Sequence, residues 1–377
     1  MAGIYVHIPF CLKKCAYCDF VSFPAPERGE EYVHALLREI ELWAGAGLRR
    51  RYDTLFIGGG TPSILDEKYI ASIMGRLNAC LDLSIEEATI ECNPGTLSLR
   101  KLEAYREAGF DRLSIGAQSF SAALLGGIGR IHGPEQIYEA VKAARSAGFE
   151  NINLDLMYGL PGQTAEDYMY SIRAAAELGA AHISAYSLIL EEGTPLFYRV
   201  AAGEVKLPDD DETYHMHRSG MALLEGLGYR RYEISNYARP GRQCRHNLNY
   251  WNCGEYLGLG VNASSAMERE GWRRWRNHDA LAGYIQAAEE GRLPIVEEEI
   301  ISEEEQMFEW MMLGLRKLEG VDRAAFKRRF GRDAARVYAA PMDRLISMGY
   351  MELDERSIRL TDRGLDMQNA ALLELMG

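Results

Sequence analysis

Short apolar runs rich in β-branched residues punctuate the first half of the chain, at 3–8 (GIYVHI), 53–57 (DTLFI), 87–91 (EATIE), 111–116 (DRLSIG), 151–156 (NINLDL) and 182–187 (HISAYS). Each has the length and composition of a strand. Between them lie segments whose apolar residues recur at helical spacing: EYVHALLREIELWAGA, EKYIASIMGRLNACL, SLRKLEAYREAG, PEQIYEAVKAARSAG and TAEDYMYSIRAAAELG. Several stop at a glycine, the residue that most easily takes the left-handed conformation closing a helix. Strand then helix, repeated along the chain, predicts parallel βαβ units. A doubly wound sheet and a partial (β/α) barrel both satisfy that alternation, and the chemically unusual residues separate them. A cysteine cluster follows the first strand and GGGTP the second, Glu91 ends the third, Gln118 follows the fourth, Asp155 lies in the fifth, and Ala185 and Tyr186 lie in the sixth. Residues gathered at the C-terminal ends of successive parallel strands are how (β/α) barrels build sites. The fold expected for residues 1–235 is therefore α/β, a partial (β/α)6 TIM-like barrel.

The pattern changes after residue 235. Residues 236–300 read as a loop-rich connector carrying Trp251, Trp272 and Trp275, and the acidic run EEEIISEEEQ then leads into an amphipathic helix around MFEWMMLGLRKL. Residues 301–377 read as a smaller, mostly helical domain with a winged-helix outline, its hairpin at MGYMELDERSIRLTDRG. A wing can touch DNA, but a formal charge of −13 and the lack of a basic face argue against nucleic acid, so packing or partner contact is expected. The apolar stretches are broken by charges well short of the roughly 18–20 residues a membrane span needs. The N-terminus MAGIYVHIPF lacks the layout of a signal peptide, so a cytoplasmic protein is expected.

Three of the seven cysteines, Cys11, Cys15 and Cys18, crowd into one short C-x3-C-x2-C loop. In a reducing compartment this spacing favours metal ligation over disulfides. A structural zinc site wants four closed ligands, and no fourth is evident nearby. Three thiolates on a [4Fe–4S] cluster leave one iron open for a bound molecule. Cys80 and Cys92 read as small buried hydrophobes, and Cys244 and Cys253 have no spacing that converts into a site.

The C-x3-C-x2-C spacing, with aromatic Tyr17 before the last cysteine, resembles the signature of the radical-SAM superfamily. The longer string YVHIPFCLKKCAYCDF resembles more narrowly the oxygen-independent coproporphyrinogen III oxidase family, and the similarity continues through GGGTPS, ECNPGTL, RLSIGAQSF, NLDLMYGLPGQT, YEISNYA and HNLNYW, covering nearly the whole chain. The resemblance implies that the open iron is chelated by S-adenosylmethionine, which one electron cleaves to a 5′-deoxyadenosyl radical. It also implies that Tyr5, Tyr17, Gly59, Gly60, Thr61, Glu91, Gln118, Arg130, Asp155 and Ala185 contact S-adenosylmethionine, some of them at a second such site. On its own chemistry a glycine run can be merely a tight loop and a strand-end glutamate merely solvated.

Two functions follow from the resemblance: oxidative decarboxylation of coproporphyrinogen III, or haem carriage, as in the haem-chaperone branch of the family. Three features favour the second. The oxidases carry a further cysteine two positions after the last cluster cysteine, where this chain has Phe20. They also have a longer segment before the cysteine loop, which here starts at residue 11. Finally, HNLNYW at 246–251 resembles the haem-binding HNxxYW motif of the chaperone branch, which implies that His246, Asn247, Tyr250 and Trp251 bind haem, with His246 as axial ligand. A satisfied structural histidine is the alternative for such a residue. The string GLGVNASSAM departs from the GAHS-like string of the family, so a second expected histidine is missing. The implied partners are haem and haem-accepting proteins such as respiratory enzymes, with a homodimer left open. An interaction protein with a regulatory cluster is a third class.

Overall fold

The computed structural model describes residues 2–48 and 50–376. Six strands alternate with helices through the first half of the chain: β1 (Ala2–Ile8), β2 (Arg51–Gly59), β3 (Asp82–Cys92), β4 (Arg112–Gln118), β5 (Asn151–Tyr158) and β6 (His182–Ser187). They pair in parallel in the order 1-2-3-4-5-6. A doubly wound sheet reverses its strand order at a switch point, whereas this one runs monotonically. Right-handed crossovers then put every helix on one side, and the sheet curls around an interior. The α/β partial barrel is what the structure shows.

Alternation along each strand builds the two sides. In β1 the side chains of Ile4, Val6 and Ile8 are buried in the main apolar core with Leu36, Ile40 and Trp43 of the helix Gly29–Gly45. Gly3, Tyr5 and His7, the alternate residues, therefore face inward. Helix starts are fixed locally: Thr164, Asp209 and Ser302 each accept from the backbone N–H three residues on, closing capping boxes worth about 1 kcal/mol apiece.

Residues 236–300, expected as a loop-rich connector, instead extend the sheet. The strands β7 (Arg230–Arg231) and β8 (Asn236–Ala238) add an antiparallel edge beside β6. On the other side β9 (Glu255–Leu259) pairs in parallel with β1, followed by the antiparallel strands β10 (Ser264–Glu268), β11 (Trp272–Asn277) and β12 (Ile295–Ile300). The boundary expected at residue 235 thus falls inside a single twelve-stranded sheet of the described residues. The C-terminal portion has its own core, including Met311, Phe326, Met342 and Ile358, around a small sheet of β13 (Val321–Asp322), β14 (Met351–Leu353) and β15 (Ser357–Leu360). No described helix is long and apolar enough to cross a membrane.

One buried carboxylate ties the added strands to the barrel. Glu39 is fully buried and accepts from Tyr284 Oη (2.6 Å), Asn277 Nδ2 (2.7 Å) and the Gly260 N–H (2.8 Å). Burial outweighs these bonds and raises its carboxyl to about 7. The folded state therefore keeps a proton that the unfolded chain releases near pH 4.5, so Glu39 makes stability fall as pH rises between about 4.5 and 7, by up to ~1.4 kcal/mol per pH unit. Denaturant melts across that window should show a shallower decline for Glu39→Gln than for the wild type. Parallel pH profiles would show that Glu39 is ionised in the fold.

Candidate functional site

The cysteine loop leaves β1 and is pinned on several sides by backbone bonds. The Cys11 N–H donates to Phe23 O (3.1 Å), the Ala16 N–H to Ile128 O (3.0 Å) and the Cys18 N–H to Cys15 O (3.2 Å). His7 Nε2 lies 2.9 Å from Val21 O, tying the loop's far end to the barrel interior. After β2, the Gly60 N–H donates to Ile8 O (2.8 Å) and the Thr61 N–H to Phe10 O (2.8 Å). The glycines here are required by space: at Gly60 a Cβ would stand 2.7 Å from Phe10 O, and at Gly59, with φ +111°, 2.5 Å from the His7 ring.

All three cysteines of the loop are free thiols, half-buried at the rim of a cavity of about 600 Å³. Cys11 Sγ lies 3.5 Å from Thr61 Oγ1, and Arg130 Nη1 donates to Cys15 Sγ at 3.6 Å. Among the described residues no three Cys, His, Asp or Glu side chains converge as ligands of a single ion. A [4Fe–4S] cluster asks for a different arrangement, one thiolate at each of three separate irons, and a rim of three thiols beside an open cavity fits it.

The cavity is lined by eight of the residues expected to meet S-adenosylmethionine: Tyr17, Gly59, Gly60, Thr61, Glu91, Gln118, Arg130 and Asp155. Two expected residues are not on its wall. Tyr5 is half-buried away from it, its hydroxyl 3.0 Å from His7 Nδ1. Ala185 turns its side chain into the main apolar core, because the inward positions of β6 are Ser184 and Tyr186. Gln118 closes β4 instead of following it, and its φ of +63° ends the strand and turns the side chain to accept from Tyr186 Oη (2.7 Å). Tyr186, expected in the strand-end ring without a role of its own, lines the cavity, as do Ser114 and Ser184, which were missed from the sequence. Their signal was period-two spacing from Gln118 and along β6.

Charge is concentrated on the cavity floor. Burial raises the Glu91 carboxyl to about 8, and the nearby Asp155 pushes it further, against the Gly59 N–H at 3.1 Å and Arg112. Burial also raises Asp155, opposed by hydrogen bonds from Ser184 and Asn153 and by Arg112 and Arg130. Two enclosed carboxylates that cannot both ionise comfortably form a site suited to a cation with hydroxyl groups.

The HNLNYW segment forms a short helix, Arg245–Trp251, seated against the barrel. His246 is 1% exposed, with Nδ1 2.9 Å from Thr54 Oγ1 and Nε2 2.9 Å from Tyr250 Oη. Its ring stacks on Phe56 (5.3 Å, 28°), which stacks on Tyr5 (6.3 Å, 29°). An axial ligand needs a free nitrogen lone pair, and here both nitrogens are engaged. For His246 to reach haem iron, Thr54 or Tyr250 has to give up its bond to the ring; in this conformation the ring packs in the barrel interior, and burial lowers its pKa to about 3, keeping it neutral. Asn247 is half-buried, and Trp251 lies under Arg316, 4.9 Å from the guanidinium to its ring.

Residues 5–175 match the Radical SAM superfamily, and residues 301–367 match the HemN C-terminal domain. The chain is 36% identical to the heme chaperone HemW of Bacillus subtilis (strain 168), with all of both chains covered. The HemW of Escherichia coli (strain K12) is 37% identical, covering 99% of this chain and 97% of that one. This chain belongs to the HemW family. Among solved structures, the coproporphyrinogen III oxidase HemN of Escherichia coli, described as a radical-SAM enzyme, superposes with a TM-score of 0.85 at 25% identity over 99% of this chain and 89% of that one. As a radical-SAM member of the HemW family the chain uses a [4Fe–4S] cluster and S-adenosylmethionine, for which the thiol rim and acidic cavity are the fitting place.

If His246 holds the HemW-family helix in place, His246→Ala leaves Thr54 and Tyr250 unpartnered around a void. The expected loss is about 2–4 kcal/mol of stability, read as a lower melting temperature. An unchanged melting temperature would show that the ring is not held.

Proposed function

We propose that this chain is a haem carrier that binds haem and delivers it to acceptor haem proteins, with cluster and S-adenosylmethionine resident in the barrel. The observation that carries it is Phe20. It stands at the cavity wall, 69% exposed, where the oxidases carry a further cysteine. A phenylalanine cannot supply that thiol. The near full-length likeness to proteins named heme chaperones supports the same function.

In this account Cys11, Cys15 and Cys18 hold the cluster, and Arg130 keeps cationic charge beside Cys15. The Gly59, Gly60 and Thr61 backbone lets the methionyl end approach closely, Glu91 and Asp155 accept from its amino group and the ribose hydroxyls, and Arg130 is placed for a carboxylate. When bound, cluster and cofactor supply one-electron cleavage to a 5′-deoxyadenosyl radical. The HNLNYW segment and its surroundings hold the haem cargo.

The test pairs two assays on cluster-reconstituted chain under anaerobic conditions. Haem-loaded protein mixed with an apo-haem protein should transfer its haem, read as growth of the acceptor's spectrum. The same chain with S-adenosylmethionine, dithionite and coproporphyrinogen III should yield no protoporphyrinogen. Protoporphyrinogen formation without haem transfer would make the chain a decarboxylase and overturn the proposal.

A further inference from the structure

Beneath the cofactor cavity a file of polar side chains runs from its floor to the start of the HNLNYW helix. Asp155 lines the cavity, whereas Asn153, two residues earlier on the same side of β5, lies one layer deeper. Asn153 pairs in register with His182 on β6; the first is 1% exposed and the second wholly buried. Neither is on the cavity wall, and nor is Tyr232. Asn153 Nδ2 lies 2.7 Å from Asp155 Oδ1 and 2.8 Å from Ser114 Oγ, and Asn153 Oδ1 lies 2.6 Å from His182 Nδ1. On the other side of the ring, His182 Nε2 lies 2.8 Å from Tyr232 Oη. Tyr232 Oη in turn accepts at 3.2 Å from the N–H of Cys244, the residue that starts the HNLNYW helix.

The polarity of this file is fixed at its two ends. A backbone N–H can only donate, so Tyr232 Oη accepts from Cys244 and directs its own proton to His182 Nε2. Burial, reinforced by Arg112, holds the imidazole well below its ordinary pKa, so the ring is neutral and carries its one proton on Nδ1. That N–H donates to Asn153 Oδ1, which turns the N–H bonds of the amide toward Ser114 and Asp155. At the far end an ionised Asp155 can only accept. The opposite tautomer would set the Asn153 oxygen against the carboxylate, acceptor facing acceptor.

We infer that His182 is a positioning residue for S-adenosylmethionine: fixed as the Nδ1–H tautomer by Tyr232, it orients Asn153 so that the amide holds one oxygen of Asp155 and leaves the rest of the carboxylate to accept from the cofactor. The inference rests on the placement of S-adenosylmethionine over Asp155 proposed above. His182 touches neither cluster nor cofactor and acts only through Asn153. Aligned donors polarise one another, so the bond at Asp155 is stronger than an isolated amide would give.

Calorimetric titration of S-adenosylmethionine into the cluster-reconstituted full chain, with the cluster oxidised so that no cleavage occurs, tests this. Tyr232→Phe keeps the ring and removes the hydroxyl that fixes the tautomer, and it should weaken binding about three- to tenfold with iron content unchanged. His182→Leu, the harsher change, should weaken it at least about tenfold. In an Asp155→Asn background the amide at 155 can meet either face of Asn153. Adding Tyr232→Phe there should change affinity by less than about twofold, because both substitutions act through the same atoms. Wild-type affinity in Tyr232→Phe would overturn the inference. So would an equal loss in the Asp155→Asn background, which is the mark of a merely structural role. Wild-type affinity in Asp155→Asn alone would overturn the placement of the cofactor over Asp155 instead.

Discussion

A parallel sheet that curls without closing encloses an interior, and the polar groups caught there have to be satisfied without water. In this chain that requirement centres on Arg112, fully buried on β4. The carboxylates of Glu87 and Asp155 are its nearest negative partners. Glu87 in turn accepts from the His246 N–H (3.2 Å) and Cys244 Sγ (3.5 Å), drawing the HNLNYW helix onto the barrel. An unpaired buried charge is costly, so cofactor cavity and helix share one electrostatic column instead of forming independent sites.

Two consequences follow for function. The carboxylates near the cysteine rim are tuned by the same arginine that steadies the helix, so the acidity of the cofactor cavity is set from inside the barrel. The helix also presents two faces with different chemistry. His246 and Asn249 are buried inward, while Tyr250 and the turn carrying Cys253 reach a cleft closed on its other side by C-terminal helices.

Much of this was legible in the sequence. The six strand and helix repeats, the monotonic barrel and the ring of residues at the strand ends follow from local periodicity and from where Cys11, Glu91 and Asp155 fall. What was not legible is non-local. EYLGL at 255–259 is short and glycine-containing, and it becomes a strand only by pairing with β1 at the other end of the chain, so residues 236–300 looked like loop. The spacing of His246 and Tyr250, four apart, puts them on one helix face but does not say that the face looks inward; Thr54 and Phe56 decide that. Ala185 illustrates the same limit, since a shift of one position along a strand moves a side chain from cavity to core.

The proposed haem-carrier function keeps the cofactor in the barrel mouth and the cargo at the HNLNYW segment. Hydrogen–deuterium exchange on the full chain, with and without haem, tests this most directly. Haem carriage with a resident cofactor predicts new protection at residues 245–253, with exchange at 11–23 and 58–61 unchanged. Haem-induced protection confined to the cysteine loop and the GGGTP turn would contradict it.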